Sequence, residues 1–464
     1  ANNKLRNFIL LISSLFFYSW GEGIFVCIML FSILINYLAG IHIDKYRGKR
    51  KNLAWIITAI AITINLGLLA VFKYSNFIVD NLNPLLNGIG IDTIALKPIH
   101  LPIGISFFTF QAMSYVIDVY RKKTGAQKNP VYIGLYISCF PQLIAGPIIR
   151  YHDVARQIVE RVRNYHDVSY GIQRFVFGLG KKVLIANPLA LVADEIFQSA
   201  SVFNLSPSLA WLGIVCYSLQ IYFDFSGYSD MAIGLGRMFG FRYLENFNYP
   251  YISLSIREFW QRWHISLSNW FKDYLYIPLG GNQKGTFKTY RNLFIVFLLC
   301  GFWHGASWNF LIWGLLHGFF IVLERCGFSF LLEKMYKPLR LSYTLLVVLI
   351  AWVFFRADSL SIATFYLKMM AGLGKSGETV YNISYYLDNQ LILTLIAGGL
   401  FSIPVYPFLR KLKDKLVIYR EGIAHLSVLN LIELSKVVIT MLLLICSLCF
   451  LAANSYNPFI YFRF

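Results

Sequence analysis

A histidine in an uncharged stretch is the first candidate for chemistry. His304 stands in CGFWHGASW, and residues 292–323 around it contain no Asp, Glu, Lys or Arg. An ionisable side chain at membrane depth is a functional candidate by default, and a neutral imidazole can act as a general base. Gly301 and Gly305 beside it permit close backbone approach or a helix break. The spacing alone leaves two readings: a general base, or a buried histidine that hydrogen-bonds a neighbouring helix.

The other histidines are weaker candidates. His264, in RWHISLSNW, is a second possible site residue, although a polar residue on an interfacial helix face would give the same pattern. His317 follows His304 in WGLLHGFF, and we expect it to be a packing residue. No role is predicted for His42, His100, His152, His166 and His425. No three-ligand metal pattern is present, so we do not expect a metal enzyme.

Two carboxylates interrupt another apolar segment, YFDFSGYSDMAIGLGRMFGF, which contains Asp224 and Asp230. Its glycines are not a dinucleotide fingerprint, because no βαβ unit presents them. Small residues at this spacing let membrane helices pack closely. We therefore predict that both carboxylates are structural and pair with Arg or Ser.

Basic residues follow in the centre of the chain: Arg257, Arg262, Lys284, Lys288 and Arg291. They could meet phosphates at a cytoplasmic opening. Cytoplasmic retention of Lys and Arg in short loops explains most of them equally well.

The composition predicts that these residues belong to a membrane protein. Of 464 residues, 57% are hydrophobic and 14% are charged, whereas soluble domains carry about 25% charged residues. Residues 53–72 and 437–453 lack formal charge, and a membrane helix needs about 20 mainly apolar residues. The net charge of +19 lies largely in short loops such as 42–52 and 410–420, so we expect no nucleic-acid partner. Seven cysteines without paired spacing predict no disulfide framework and no metal site.

The pattern predicts an all-α polytopic protein, with one membrane domain over 1–464 and about 11 or 12 transmembrane helices. Residues 252–276 are too polar to face lipid, and we expect a re-entrant or interfacial helix there. A cytoplasmic loop at 410–420 and one further crossing would place 454–464 outside. The predicted spans are 6–20, 23–41, 53–76, 102–119, 131–148, 171–193, 209–236, 292–323 (long enough for a hairpin), 340–356, 391–408 and 435–453.

Several long motifs carry a resemblance to a known family. REFWQRWHISLSNWFKDYLYIPLGGN, followed by RN and then GFWHGASWNFLIWGLLHG, resembles the membrane-bound O-acyltransferases, in particular their alginate and peptidoglycan O-acetyltransferase branch. Segments 106–121, 140–151 and 222–236 resemble the same branch, so the similarity covers nearly the whole chain.

The resemblance implies a helical membrane fold around a central funnel. It implies that His304 is the family's catalytic histidine and His264 its second important one, with Asn269 or Trp303 near the donor or the oxyanion. The implied donor is cytosolic acetyl-CoA, with Arg257, Arg262 and Arg291 as candidate binding residues. The implied location is a bacterial inner membrane, in contact with lipid. The implied product is an O-acetylated extracytoplasmic polysaccharide, with peptidoglycan favoured and an alginate-like polymer the alternative, made through a periplasmic SGNH-type partner.

The end of the chain, Phe459-Ile460-Tyr461-Phe462-Arg463-Phe464, resembles the aromatic motif of small peptides that accompany D-alanine-transferring relatives. The resemblance implies that Tyr461 is a transient acyl carrier, because a phenol can attack a thioester and form an energetic aryl ester. An interfacial aromatic anchor is the alternative. D-alanyl transfer to teichoic acid and membrane transport are the alternative functions.

Overall fold

The computed structural model describes residues 3–144, 146–374, 382–418, 423–453 and 458–459, with the backbone alone over 412–418 and 423–429. Every regular element in these ranges is helical, which confirms the all-α prediction. Tyr461 and most of the predicted exterior tail, 454–457 and 460–464, lie outside the described residues.

The first half of the chain forms eleven α-helices. They are α1 (Asn3–Glu22), α2 (Val26–Tyr46), α3 (Lys51–Leu69), α4 (Ser75–Gly88), α5 (Ile105–Tyr120), α6 (Pro130–Ser138), α7 (Phe140–Leu143), α8 (Tyr151–Val159), α9 (Tyr165–Gly180), α10 (Asn187–Ser201) and α11 (Pro207–Met238). Short 3-10 turns occupy Gly23–Phe25 and Pro250–Ile252, and π-helical turns occupy Ala70–Tyr74, Lys181–Ala186, Lys272–Tyr276 and Glu324–Phe328.

The second half continues the pattern with shorter helices at its start. They are α12 (Ile256–Arg262), α13 (Ile265–Phe271), α14 (Thr286–His304), α15 (Trp308–Leu323), α16 (Ser329–Lys334), α17 (Lys337–Arg356), α18 (Leu360–Met370), α19 (Ile383–Tyr386), α20 (Asn389–Phe401), α21 (Val405–Ile418) and α22 (Ile423–Ala452).

Seven described segments are long and apolar enough to cross a membrane. The bent pair Asn389–Phe401 and Val405–Lys411, with 58° between its halves, would make eight. This is fewer than the 11 or 12 crossings expected from the sequence. The seven are Asn3–Tyr46, Lys51–Gly88, Tyr165–Ser201, Pro207–Met238, Trp308–Lys334, Lys337–Arg356 and Asn430–Ala452.

Part of the difference has a local cause. The predicted spans 6–20 and 23–41 fall within the single segment Asn3–Tyr46. The predicted span 131–148 instead contains two short helices, α6 and α7, with Cys139 leaving helical geometry between them. Pro141 follows this break, and its missing N–H could not have continued the hydrogen bonds of α6.

The polar segment 252–276 forms short helical pieces, as its sequence predicted, instead of a span. Ser255 caps the start of α12 through its side-chain oxygen, which accepts a hydrogen bond from the Glu258 N–H. The Glu324 carboxylate, just after α15, also accepts from the N–H groups of Ile256 (2.6 Å) and Arg257 (3.0 Å). Unpaired N–H groups at a helix start favour an anion. The Glu324 carboxylate fills this role for α12 and therefore connects the start of α12 to the end of α15.

Candidate active site

The turn between α14 and α15 places His304 in the interior. α14 ends at His304, Gly305 is extended, and α15 begins at Trp308. A methyl group at Gly301 would overlap the Phe310 carbonyl, and one at Gly314 would overlap the Phe297 carbonyl. The two helices are therefore an antiparallel hairpin whose backbones touch, which is the close approach and helix break predicted from the glycines.

His304 lies inside an aromatic enclosure and is 4% exposed. Its ring centroid is 4.9 Å from Trp303, 4.9 Å from Trp313 and 5.2 Å from Phe355. Trp313 comes from α15 and Phe355 from α17, so three helices position this one imidazole.

His264 is completely buried at the start of α13, where its backbone is left-handed with φ +44°. Its Nδ1 lies 3.2 Å from the Asn246 side-chain oxygen, which also accepts from the Ser266 N–H at 3.1 Å and the Ser266 hydroxyl at 2.9 Å. Because that oxygen can only accept, Nδ1 carries the hydrogen and Nε2 keeps its lone pair. His264 lies outside the membrane-crossing segments, and burial lowers its pKa to about 3, so the ring is neutral near pH 7.

Trp303 stands between the two histidines. Its ring centroid is 6.3 Å from His264 and 4.9 Å from His304. Two residues 40 positions apart in the chain therefore meet across one indole. The structure brings together these three predicted site residues.

The aromatic rings around His304 extend to His317, which is fully buried. Its ring lies 5.0 Å from Trp313 and 5.2 Å from Trp260. This environment agrees with the predicted packing role, which stays a prediction.

The remaining predicted site residues occupy less enclosed places. Asn269 is half-buried on α13, and Arg257 is exposed. Arg262 binds Glu258 and the Asn248 carbonyl. Arg291 is exposed on α14, and its 13-residue separation from His304 corresponds to about 20 Å along a helix.

The two carboxylates of α11 have basic partners. Asp230 lies 2.6 Å from Arg174 and 2.7 Å from Lys181, and Asp224 lies 2.8 Å from Lys182. The predicted pairing is confirmed for Arg174. The two lysines were not foreseen, because they lie in the π-helical turn after α9 and only the fold brings them to α11.

Sequence reasoning also missed three polar residues next to the histidines. Asn246 holds His264, as described above. Lys73 donates to the carbonyl oxygens of Trp303 (2.7 Å) and His304 (3.0 Å), and Tyr74 donates to that of Phe302 (2.8 Å). A signal for Lys73 was available, because it is a charged residue inside the predicted span 53–76.

The last described residues of the chain pack against α11. Lys182 lies 3.4 Å from the Pro458 carbonyl oxygen. Phe459 is 6% exposed, with its ring 5.0 Å from Tyr228 and 6.1 Å from Phe225. Phe225 in turn lies 4.7 Å from His264. One aromatic ring thus connects the end of the described chain to the site.

Metal ligands were not predicted for this site. Within the described ranges, no group of three or more His, Cys, Asp or Glu side chains could hold a metal ion.

Comparison with known families gives one match over most of the chain. The model of the MBOAT, membrane-bound O-acyltransferase family, matches residues 12–366. His264, Trp303 and His304 all lie within that range.

Two curated relatives match over nearly the full length, and a third matches over about half of this chain. The chain is 39% identical to a probable alginate O-acetylase AlgI of Pseudomonas putida, over 100% of this chain and 96% of the relative. It is 36% identical to a peptidoglycan O-acetyltransferase of Helicobacter pylori, over 98% and 91%. A teichoic acid D-alanyltransferase of Bacillus subtilis is 32% identical over 54% of this chain and 66% of the relative.

Proposed function

Because this chain belongs to the membrane-bound O-acyltransferase family, we propose that it moves acetyl groups from cytosolic acetyl-CoA across a bacterial inner membrane for O-acetylation of an extracytoplasmic polysaccharide. That it is a multi-pass membrane protein and an O-acyltransferase follows from the family and the apolar helices. The observation that carries the proposal is the burial of His304 and His264 on either side of Trp303, where the α14–α15 hairpin turns.

The proposed chemistry begins with His304 as general base. Its imidazole takes the proton from an incoming hydroxyl, whose oxygen attacks the acetyl carbonyl carbon of the thioester. The tetrahedral intermediate then collapses, the C–S bond breaks, and CoA leaves as a thiolate that takes the proton held by His304, which restores the neutral imidazole. Water exclusion by the surrounding rings strengthens electrostatic contacts during this step.

Donors for the developing oxyanion are available beside His304. The indole nitrogen of Trp303 is buried, and the described residues give it no hydrogen-bond partner. A buried N–H without a protein partner calls for an explanation, and donation to the thioester oxygen supplies one. His264 and Asn269 are the further candidates for positioning the thioester. Arg257, Arg262 and Arg291 are proposed to meet the phosphates of CoA.

Tyr461 is the proposed first acceptor. Its proposed role is supported by the docking of Pro458 and Phe459 against Lys182 and α11, one aromatic ring from His264. The acetyl group would pass from the phenol oxygen to a serine of a periplasmic SGNH-type partner and then to a sugar hydroxyl.

The full-length similarity to an alginate O-acetylase and a peptidoglycan O-acetyltransferase supports a polysaccharide acceptor. Peptidoglycan and an alginate-like polymer are both retained. D-alanyl transfer has less support, because that relative matches only 54% of this chain.

The donor and His304 can be tested in proteoliposomes of the purified protein with radiolabelled acetyl-CoA. Wild type is expected to release CoA and pass acetyl to its polysaccharide when the partner is added. His304→Ala should lower the rate by about 10³-fold, within the range of general-base catalysis, while the protein still inserts. His166→Ala, at an exposed histidine, is the matched control. Retained activity in His304→Ala, or transfer only from a D-alanyl carrier protein, would contradict the proposal.

The carrier role of Tyr461 needs its own experiment. Rapid acid quenching should trap labelled acetyl on the wild-type chain and none on Tyr461→Phe, which should also stop transfer to polysaccharide. Phe462→Tyr in the Tyr461→Phe background moves the phenol by one residue and tests whether it must stand at position 461. If Tyr461→Phe acetylates polysaccharide at the wild-type rate, the tail is an anchor and not a carrier.

A further inference from the structure

The last turn of α14 leaves four carbonyl groups without partners inside the helix, as every helix end does. In α14 these are the carbonyls of Gly301, Phe302, Trp303 and His304. Buried away from water, as Trp303 and His304 are, such carbonyls need a donor, since an unpaired buried backbone group costs free energy comparable to a lost hydrogen bond.

Each of the four carbonyls accepts a hydrogen bond from a donor. The Gly305 N–H donates to Gly301 at 3.4 Å. The Tyr74 hydroxyl donates to Phe302 at 2.8 Å. The Lys73 side-chain nitrogen donates to both Trp303 at 2.7 Å and His304 at 3.0 Å. Two consecutive residues of one other segment therefore complete the helix end that carries the proposed base.

That segment is shaped for this contact. Ala70–Tyr74 is a π-helical turn between α3 and α4, and such turns occur frequently at functional sites. Tyr74 stacks on Phe302 with ring centroids 4.0 Å apart. The Lys73 nitrogen also lies 3.4 Å from the Ser106 hydroxyl and 5.9 Å from the Trp303 ring centroid.

The contacts of this segment extend past the turn at Gly305 to the start of α15. Phe77 lies 5.9 Å from Trp308, and the Trp308 indole N–H donates to the Asn81 side-chain oxygen at 2.9 Å. Residues on both sides of Gly305 are thus held by the same stretch, 73–81.

We propose that Lys73 is a positioning residue for His304, with Tyr74 as its partner, and that together they fix the last turn of α14 so that the imidazole keeps its orientation. Lysine side chains near a helix C-terminus can hydrogen-bond its last carbonyls. A lysine that only filled space or anchored the protein would not need to bind two successive carbonyls of one helix end. The proposal rests on the proposed catalytic role of His304.

The role predicts a specific kinetic pattern. Lys73→Met keeps the length of the side chain and removes the donor, so the Trp303 and His304 carbonyls lose their partner. We expect kcat to fall by about a hundredfold, the effect of a displacement of about 1 Å at a reacting group, with the KM for acetyl-CoA unchanged. Lys73→Arg should recover most of kcat, because a guanidinium can also donate to two carbonyls.

The experiment measures kcat and KM for acetyl-CoA in proteoliposomes for both Lys73 variants, for Tyr74→Phe and for His304→Ala. Lys97→Met, at an exposed lysine, is the matched control and should match wild type. Tyr74→Phe keeps the ring stacking and removes one donor, so a fall in kcat of about tenfold is expected, equivalent to one hydrogen bond.

The possible results separate the two proposals. If His304→Ala is fully active, the catalytic assignment fails, whatever the Lys73 variants do. If His304→Ala is inactive while Lys73→Met and Tyr74→Phe keep wild-type kcat, the positioning role is wrong. If Lys73→Met fails to insert, the kcat values of Tyr74→Phe and Lys73→Arg decide whether the positioning role holds. A raised KM with unchanged kcat would also overturn the proposal.

Discussion

Two helix pairs in this protein bury polar residues beside tightly packed backbones, and the neighbours of those polar residues differ between the pairs. In the α9–α11 pair, a methyl group at Gly227 would lie 2.7 Å from the Gly178 carbonyl oxygen, and one at Gly234 would lie 2.6 Å from that of Gly171. In the α14–α15 hairpin, Gly301 and Gly314 allow the same kind of contact. Close helix packing through small residues is therefore common to both.

The polar residues in the two pairs differ in their neighbours. Asp230 of α11 is held between Arg174 and Lys181, and Asp224 is paired with Lys182. His304 of the α14–α15 hairpin is instead surrounded by aromatic rings, and His264 at the start of α13 contacts the ring of Phe225. A carboxylate fixed between cations is suited to joining helices, whereas a neutral imidazole in an apolar enclosure can accept a proton during a reaction. Substitutions in the first pair should change stability, and those in the second should change the rate.

The largest effect on folding is expected for Asp230→Asn. It removes the buried carboxylate that binds Arg174 and Lys181, which are both partly exposed. Because Arg174 keeps Glu245 as a partner, we expect a loss of about 1.5–3 kcal/mol, that of hydrogen bonds to a charged group. Thermal unfolding in detergent should show the loss, while kcat per folded molecule stays near wild type. Asp80→Asn, at an exposed carboxylate, is the control. Unchanged stability with a lost kcat would reverse the assignment of the two helix pairs.

His264→Asn should lower the rate and leave stability nearly unchanged. Asparagine tolerates the left-handed backbone found at this position, so the change isolates the loss of the imidazole. We expect kcat to fall by about a hundredfold, the effect of losing a group that positions the reacting thioester. Acetyl transfer and thermal unfolding measured on the same preparation check it. A wild-type kcat would make His264 a structural residue.

Asn246→Ala should have a smaller effect of the same kind. It removes the acceptor for the His264 Nδ1–H and for Ser266, so the tautomer and orientation of His264 are no longer fixed. A fall in kcat of about tenfold is expected, equivalent to roughly one hydrogen bond. Asn248→Ala, two residues along and exposed, should behave as wild type. If both variants are equally active, Asn246 does not act through His264.

His317→Phe should have the smallest effect. Its ring packs between Trp313 and Trp260, and a swap of similar volume in a core costs less than about 1.5 kcal/mol. We expect a change in kcat of less than about threefold in the acetyl-transfer assay. A loss comparable to that of His304→Ala would move His317 into the catalytic group.

Much of the fold could be predicted from the sequence because its signals are local. Uncharged runs such as 53–72 indicated membrane helices, and the polarity of 252–276 indicated an irregular segment. The breaks within spans were harder to predict. Residues 131–148 are apolar enough to be read as one helix, and the loss of helical geometry at Cys139 before Pro141 divides them.

The candidate site was partly predictable for the same reason. His304 was recognisable from the uncharged sequence around it, and His264 was a second candidate that the resemblance to the family strengthened. Trp303 was a candidate for substrate binding only. Arg257, Arg262 and Arg291 could be noted only as basic residues of the central chain. Their side chains face Glu258, Asn292 or the exterior of the described structure, and no periodicity reveals such partners.

The sequence by itself determined that the chain lies in a membrane, that it is helical and that His304 is the residue to examine. These properties depend on hydropathy and on residues close together in the chain. Only the tertiary structure decided that Trp303 separates two histidines, that Asn246 sets the tautomer of His264, and that Lys73 and Tyr74 complete the end of α14. The physical reason is that a buried hydrogen-bonding group takes whichever partner the packing of distant helices brings to it. Residues 73 and 304 meet only once the end of α14 has packed against the π-helical turn Ala70–Tyr74.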